Sequence, residues 1–353
     1  MIKNIYVFYG GKSVEHEVSL MSAKNVINSL NKKYDIYPVF IDKEGRFLSL
    51  EKVSSVEDIK DLVAMSDKKP LDTIVDFLKS LKDDSIMFSL VHGSMGEDGT
   101  LQGFFDSLNL PYVGSSLKAS AITFDKITTN EVLTSMGFEK AKFLAVLKSN
   151  IEEDIDLEIK KIEEEINYPL FVKPSNAGSS VGANKASNRD ELKNSLLEAK
   201  KYDDKILVEE FIDGRELEVS VMGLDDPVAA YPGEHIVSDH VFFDYNSKYF
   251  DQTTIINPRA DLDEKTEDEI RKTAVKCFKA RGLTAYSRVD IFLEKTGRIL
   301  INEVNTIPGL TPTSLFPKSW EKIGNIPLTE ILDKLIDYSL IAFEEKSKIQ
   351  RSL

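Results

Sequence analysis

A chain of 353 residues, 42% hydrophobic and 29% charged, is long enough for two or three domains with real cores and has an ordinary soluble globular make-up. Its net charge of -14 excludes nucleic acid as the main partner, because a phosphate backbone needs a basic face, but leaves room for a local basic pocket around a nucleotide. The single cysteine, Cys277, fits a reducing, cytoplasmic setting; no apolar run approaches the roughly 20 residues that span a bilayer, and the opening "MIKNIYVFYGG" carries no charged-then-apolar leader.

In chain order, Ile2–Tyr9 reads as a strand stopped by the turn Gly10-Gly11. The "GGKS" there is not a Walker A loop, since the first glycine of that motif would fall on Tyr6. Helical spacing of Leu20, Ala23, Val26, Ile27 and Leu30 follows, with Ser19 as the expected N-cap. Strands at Asp35–Ile41 and Ile86–Val91 flank an amphipathic helix at Leu71–Leu81. This alternation predicts a doubly wound parallel sheet, whose ligands sit at the carboxyl ends of its strands. Gly10-Gly11 and His92-Gly93 lie at such ends.

A second unit starts near Ser120. It has a helix at Asp125–Gly137, a charged amphipathic stretch from Asn150 to Pro169, a strand at Pro169–Pro174, a helix at Asn188–Lys200 and a strand at Lys205–Ile212. A third unit runs from about Asp213. It contains the strand "ELEVSVMG", a long polar and aromatic stretch at His235–Pro258, a helix at Lys265–Ala280, the strands "AYSRVDIFLE" and "RILINEVN", and a closing helix at Pro327–Ala342. A loop as long as His235–Pro258 is usually functional or disordered.

The hairpin at 285–305 carries the clearest chemistry. A two-residue turn at Thr296-Gly297 sets Asp290 against Glu303 and Arg288 against Asn305, all on one face. Two carboxylates and an amide beside a guanidinium make a seat for hard cations holding phosphate. A charged cross-strand cluster on a solvated face fits the same four residues. The apolar neighbours Val289, Ile291, Ile299, Leu300, Ile301 and Val304 point instead to a central strand pair, where facing carboxylates would repel. In "KPSNAGSSVG", Gly178 and Gly182 free backbone N–H groups to converge on an anion, and Ser179 and Ser180 add hydroxyls; a flexible turn is the other reading. Lys173 and Lys126 can hold phosphates as point charges, although a single exposed lysine most often serves solubility. Pro308-Gly309 forces a turn just beyond the hairpin, where N–H groups can face a developing oxyanion or simply end a strand.

Taken in order, "GGKSVEHEVSL", "HGSMGEDGTLQG", "FVKPSNAGSSVG", "DYNSKY", "SRVD" and "NEVNTIPGLTPTSL" resemble the D-alanine–D-alanine ligase family of the ATP-grasp fold, from Ile2 to about Ser339. The second and last of these are highly specific as a pair. The resemblance implies an α/β and α+β molecule: an N-terminal doubly wound parallel sheet (residues 1–120) and two α+β lobes (121–212 and 213–353) that clamp ATP. It implies ATP-dependent ligation of two D-alanines through an acyl phosphate for peptidoglycan precursors, with D-serine or D-lactate as the alternative acceptor. It also implies a cytoplasmic homodimer that pairs through its N-terminal helices and acts without nucleic acid or membrane.

Residue roles follow from the same resemblance. Asp290, Glu303 and Asn305 hold two Mg2+ (or Mn2+) ions, with Glu303 bridging. Lys126 and Lys173 contact the α- and β-phosphates, Lys248 the γ-phosphate, and Ser180 joins the phosphate loop. Glu209, Glu210, Phe211 and Ile212 line the adenine pocket, and Glu216 takes the ribose hydroxyls. Glu15 binds the ammonium of the first D-alanine, where a helix-capping acid is the plainer reading. His92 sits beside the substrate carboxylates, or is a satisfied strand-end histidine. Arg288 stabilises the transferring group, Gly309 lies on the oxyanion turn, and Ser314 and Leu315 form the second subsite. Ser179 and Tyr249 tie the 235–258 stretch down as a lid, and Tyr249 favours the dipeptide over an ester. His16 stands where many relatives have arginine.

Overall fold

The computed structural model describes residues 2–179, 181–236 and 255–349. The first sheet is built from β1 (Asn4–Gly10), β2 (Asp35–Ile41), β3 (Phe47–Ser49) and β4 (Ser85–Ser89), in the order β3-β2-β1-β4. β1 runs parallel to both neighbours, and β3 is an antiparallel edge. All seven residues of β1 are buried, because both faces of the strand are covered. Ile5, Val7 and Tyr9 enter one core, while Tyr6 and Phe8 enter another with Phe47, Phe77 and Phe105.

The helix after β1, α1 (His16–Ser29), begins three residues before the position expected of an N-cap at Ser19. Ser19 lies buried in the first turn instead. Its hydroxyl accepts from Gly10 N–H at 2.8 Å and donates to the Leu90 carbonyl at 2.7 Å. The serine thus ties together the carboxyl ends of β1 and β4, the two ends that carry sequence motifs. The other N-terminal helices are α2 (Pro70–Ser80) and α3 (Thr100–Ser107), followed by α4 (Leu117–Phe124) and α5 (Lys126–Ser135).

A second, wholly antiparallel sheet has the order β5-β8-β6-β7, from β5 (Phe143–Leu147), β6 (Leu170–Pro174), β7 (Asn184–Ala186) and β8 (Lys205–Glu210). Helices α6 (Lys148–Glu165) and α7 (Arg189–Ala199) bury their apolar stripes against it, with Ile159, Ile162, Leu192 and Leu196 meeting Leu170, Val172, Ile206 and Val208.

The third sheet is β10-β9-β13-β14, from β9 (Gly214–Gly223), β10 (Val228–Ala229), β13 (Ala285–Glu294) and β14 (Ile299–Asn305). Strands β11 (Glu234–Ile236) and β12 (Ile255–Asn257) pair at the two ends of the stretch read as a loop; residues 237–254 between them are outside the described residues. Helix α8 (Glu264–Ala280) covers the third sheet through Ile270, Ala274, Cys277 and Phe278. Helices α9 (Leu315–Gly324) and α10 (Leu328–Ser347) carry Phe316, Trp320, Ile331 and Leu335 into the core that also holds Ile5 and Val7 of β1 and Tyr286 of β13.

The hairpin reaches its expected facing pairs by another route. Its turn has three residues, Lys295, Thr296 and Gly297, closed by Glu294 N–H on the Arg298 carbonyl at 2.9 Å. Gly297 takes a φ of +91° there. Near the turn the register is therefore shifted, with Ile291 against Ile301. A β-bulge at Asn302 inserts one residue and restores Asp290 against Glu303 and Arg288 against Asn305. The two departures cancel at the site. The pair is also not central on both sides: β13 is interior, whereas β14 is the edge of the sheet.

Candidate active site

Two adjoining clefts meet at Arg288, Pro308 and Gly309. The first brings Glu15 and His92 from the ends of the first sheet against Lys126, Ser179, Glu303 and Asn305. The second is walled by Glu218, His235, Ser314 and Leu315.

Glu15 occupies the N-cap position of α1 but makes no capping bond with its side chain, which disposes of the plainer reading. It is 7% exposed, and its Oε1 accepts from the Ser179 hydroxyl. Among the described residues, Oε2 is buried with no hydrogen-bond partner. Gly178 and Gly93 crowd this oxygen: a Cβ would come within 2.5 Å of it at the first and 2.6 Å at the second. An acid that lines the cleft and keeps one buried oxygen without a partner among the described residues, enclosed by glycines, suits an ammonium group.

His92 is held at both ring nitrogens, Nδ1 by the Ile307 carbonyl at 3.0 Å and Nε2 by Ser22 Oγ at 3.2 Å. Burial lowers its pKa against the pull of Glu15, which favours the neutral imidazole. It lines the cleft and is also a satisfied histidine; the two readings coexist. Neighbouring His16 is buried and bonds the Gly11 carbonyl through Nδ1 at 2.7 Å, so it braces the turn below Glu15.

On the opposite wall, Arg288 forks onto Asp290, with Nε and Nη2 each 2.7 Å from a carboxylate oxygen. Glu218, facing Asp290 from β9, lies 3.3 Å from the same Nε. Asn305 Nδ2 donates to Asp290 at 3.0 Å, and Glu303 lies 3.6 Å from Lys126 Nζ. Burial pushes the Asp290 carboxyl up to about 6, with Glu218 and Glu303 adding to the push and Arg288 opposing it. Burial also works against the Arg288 charge, but Asp290 and Glu218 outweigh it and raise the guanidinium pKa. The wall is therefore crowded with acid. No group of three or more His, Cys, Asp or Glu is arranged as a metal site among the described residues. The donor set is two carboxylates and an amide, which suits a hard cation that takes its remaining oxygens from phosphate.

Lys126, the first residue of α5, donates to the Ala177 carbonyl at 2.7 Å, joining the helix start to the glycine-serine loop. Asp125 caps α5 and receives the Ser175 hydroxyl at 2.7 Å, which fixes that junction. Lys173 is buried; burial lowers its pKa, but Glu209 at 2.6 Å and nearby Glu303 win and raise it. Glu210 accepts from Lys142 N–H at 3.1 Å, Phe211 is exposed beneath Lys185, and Ile212 joins Ala141 and Leu300 in a small apolar cluster. Glu216 is exposed and accepts from Asn302 Nδ2 at 2.8 Å. Ser314 caps α9 by position, and its Oγ accepts from Thr311 N–H at 3.1 Å; Leu315 beside it is buried. Ser180, Lys248 and Tyr249 lie outside the described residues.

Four residues at the site escaped sequence reasoning. Glu97 accepts from Gly93 N–H at 3.0 Å, and burial, with Glu15 second, raises its pKa to about 8. Glu218 is an acid among Leu217, Val219 and Val221, a signal the alternation of that strand carried. Lys140 donates to the carbonyls of Ile301 and Asn302, the latter at 2.8 Å, and burial lowers its pKa to about 8. Asn302 bridges Lys173 and Glu216. The last two depend on the bulge, which nothing in the residue pattern announced.

The sequence matches two family descriptions, "D-ala D-ala ligase N-terminus" over residues 4–115 and "D-ala D-ala ligase C-terminus" over residues 132–337. It is 41% identical to the D-alanine–D-alanine ligase of Acetivibrio thermocellus, with 98% of each chain covered. It is 43% identical to that of Thermoanaerobacter pseudethanolicus, with 98% of this chain and 99% of the relative covered. Among solved structures it is similar to the D-alanine–D-alanine ligase from Coxiella burnetii (TM-score 0.79, 31% identity, 98% and 96% covered). It is also similar to the VanG D-Ala:D-Ser ligase from Enterococcus faecalis (TM-score 0.81, 32% identity, 96% and 100% covered). Matched by both family descriptions and by relatives of this similarity over almost its whole length, the chain belongs to the D-alanine–D-alanine ligase family.

Proposed function

We propose that this protein joins two molecules of D-alanine at the expense of ATP, making D-alanyl-D-alanine for peptidoglycan precursors in the cytoplasm. The first D-alanine carboxylate takes the γ-phosphoryl group, giving an acyl phosphate and ADP. The amine of the second, having lost a proton, attacks the acyl carbon; the tetrahedral intermediate then expels phosphate. The observation that carries this reading is Glu15, which has a buried oxygen without a partner among the described residues and lines one cleft with Lys126, Arg288 and Glu303.

In this reading Glu15 anchors the first ammonium and His92 borders the carboxylate. Arg288 and the Gly309 turn stabilise negative charge as it develops. Lys126, Lys173, Ser180 and Lys248 hold the phosphates. Glu209 to Ile212 flank the adenine, and Glu216 takes the ribose. Asp290, Glu303 and Asn305 hold two Mg2+ or Mn2+ ions, which when bound neutralise the phosphate oxygens during transfer. Burial drives the Asp290 pKa up, with Glu218 and Glu303 adding to it against Arg288, and a buried carboxylate among other acids supports a cation there. Ser314 and Leu315 receive the second D-alanine, and Ser179 with Tyr249 closes the lid against water. The three units 1–120, 121–212 and 213–353 form the clamp. A homodimer through the N-terminal helices completes the reading, and the exposed apolar residues Leu71 and Val75 on α2 and Met65 before it support it. No helix of the described residues is long and apolar enough to cross a membrane.

The test is mass spectrometry of products with phosphate release followed in parallel. The protein is incubated with ATP, Mg2+ and D-alanine, alone and with equal D-serine or D-lactate. A product of two D-alanines with one phosphate per product is expected, and Arg288→Ala or Glu303→Ala should make none. A mixed product would move the acceptor to D-serine or D-lactate. No product and no phosphate would overturn the reading.

A further inference from the structure

We propose that Lys140 is a positioning residue for the nucleotide: its ammonium pins the bulge of β14 and so fixes where Asn302 and Glu303 point. The inference rests on the ligase reading for its substrate and on the hairpin for its geometry.

Residues two apart on a regular strand share a face. Ile301 and Glu303 are two apart, yet Ile301 is in the apolar core with Val289 and Ile291, while Glu303 lines the cleft opposite Asp290. Only the extra residue at Asn302 allows this. A slip of one position would carry Glu303 toward the core and lose its pairing with Asp290. The bulge lies on an edge strand, where no further strand of the sheet holds it among the described residues.

The segment after α5 takes that place. Glu139 O accepts from Ile301 N–H at 3.2 Å, and Lys140 Nζ donates to the Ile301 and Asn302 carbonyls, on both sides of the bulged peptide. One ammonium with three donors can hold two successive carbonyls; a neutral apolar side chain can hold neither. With its backbone held, Asn302 spans two groups of the nucleotide side: Oδ1 accepts from Lys173 at 3.3 Å and Nδ2 donates to Glu216 at 2.8 Å. Lys140 acts through the bulge, on the phosphate lysine, the ribose acid and Glu303 together. The D-alanine anchor Glu15 lies on the other wall, where its carboxylate accepts from Ser179.

The test compares Lys140→Met, Lys140→Arg and Asn302→Ala with the unaltered protein. In Lys140→Met the KM for ATP should rise about tenfold or more, while the KM for the first D-alanine stays within about twofold. Lys140→Arg should recover most of the loss, and Asn302→Ala should reproduce the ATP effect. The Lys140→Met, Asn302→Ala double variant should be no worse than the poorer single one, because both act through one bulge. Independently of turnover, amide exchange across 299–305 should quicken in Lys140→Met with β1 unchanged. If Lys140→Met fails to fold, Lys140→Gln, which keeps a donor pair, carries the same comparison. An unchanged KM for ATP, equal rises in both KM values, or unchanged exchange at 299–305 would overturn the inference. If the unaltered protein makes no product, the ligase reading fails, and the exchange result still decides whether Lys140 holds the bulge.

Discussion

A carboxylate oxygen enclosed without a partner costs free energy, and among the described residues Glu15 carries one at 7% exposure. The cost makes sense if the oxygen is satisfied in the substrate complex. Glu15→Gln keeps the size of the side chain and an acceptor for Ser179, but removes the charge. A hydrogen bond to a charged group is worth about 1.5–3 kcal/mol, so kcat/KM for D-alanine should fall about 10- to 150-fold with little change in the KM for ATP. Equal effects on both substrates would mean that Glu15 only braces Ser179. Glu97 gives a second prediction at this scale. Part of its surface borders the cleft, yet its carboxyl group is enclosed enough for burial, then Glu15, to raise the pKa to about 8. The folded protein therefore holds a proton that the unfolded chain releases near pH 4.5. That contribution to stability is full below about pH 4.5, falls as pH rises and is gone above about 8. Glu97→Gln cannot ionise. Its Tm advantage over the unaltered protein should widen from pH 5 to 8 and then level off, measured by differential scanning calorimetry; parallel curves across that range would refute a proton on Glu97.

At the scale of elements, the site was more legible than the route to it. Asp35–Ile41 and Ala285–Glu294 were readable to the residue, because each is a β-rich run bounded by turns or a glycine-rich approach. Facing carboxylates were readable because alternation along a strand is rigid. The turn and the bulge were not: a three-residue loop with an insertion at Asn302 leaves the same pairs at the far end as a two-residue turn without one. Sequence alternation counts residues, and two compensating insertions are invisible to the count. The start of α1 was missed for a related reason. Ser19 has the chemistry of a cap, but Gly10 and Leu90, at the ends of two strands, claim its hydroxyl. Short elements such as β7 and β10 carry too few residues for any period to appear, and they exist because a longer neighbour pairs with them. Lys140 was unreadable in principle, since its partners are main-chain carbonyls whose direction depends on the bulge.

At the scale of the whole molecule, the cores are unevenly shared. α9 and α10 carry the first and third sheets in one apolar cluster, from Ile5 of β1 to Tyr286 of β13, so those walls of the cleft are welded. The second sheet keeps a core of its own, from Val146 to Val208. Its ties to the rest include polar ones: Lys126 N–H to Ser175 O at 3.1 Å, Lys126 Nζ to Ala177 O and Lys173 to Asn302. A wall joined by polar ties and one small apolar cluster, that of Ala141, Ile212 and Leu300, can open as a unit at less cost than one sharing a large core. Leu196→Ala tests this away from the site. Leu196 is fully buried in the second sheet's core, and such a truncation costs about 2–5 kcal/mol. Amide exchange should quicken throughout β5, β6 and β8 while β1 and β13 keep their protection. If ATP bridges the second and third sheets as proposed, Mg2+ with ATP at about 100 times its Kd should return about 2.7 kcal/mol, and only where opening breaks the nucleotide site. Exchange that quickens equally in β1 would show one cooperative body, and the clamp would then have to close by bending the hairpin and loops rather than by moving the second sheet. Local quickening that ATP reverses would place the hinge at the two chain crossings beside it, after α5 and between β8 and β9.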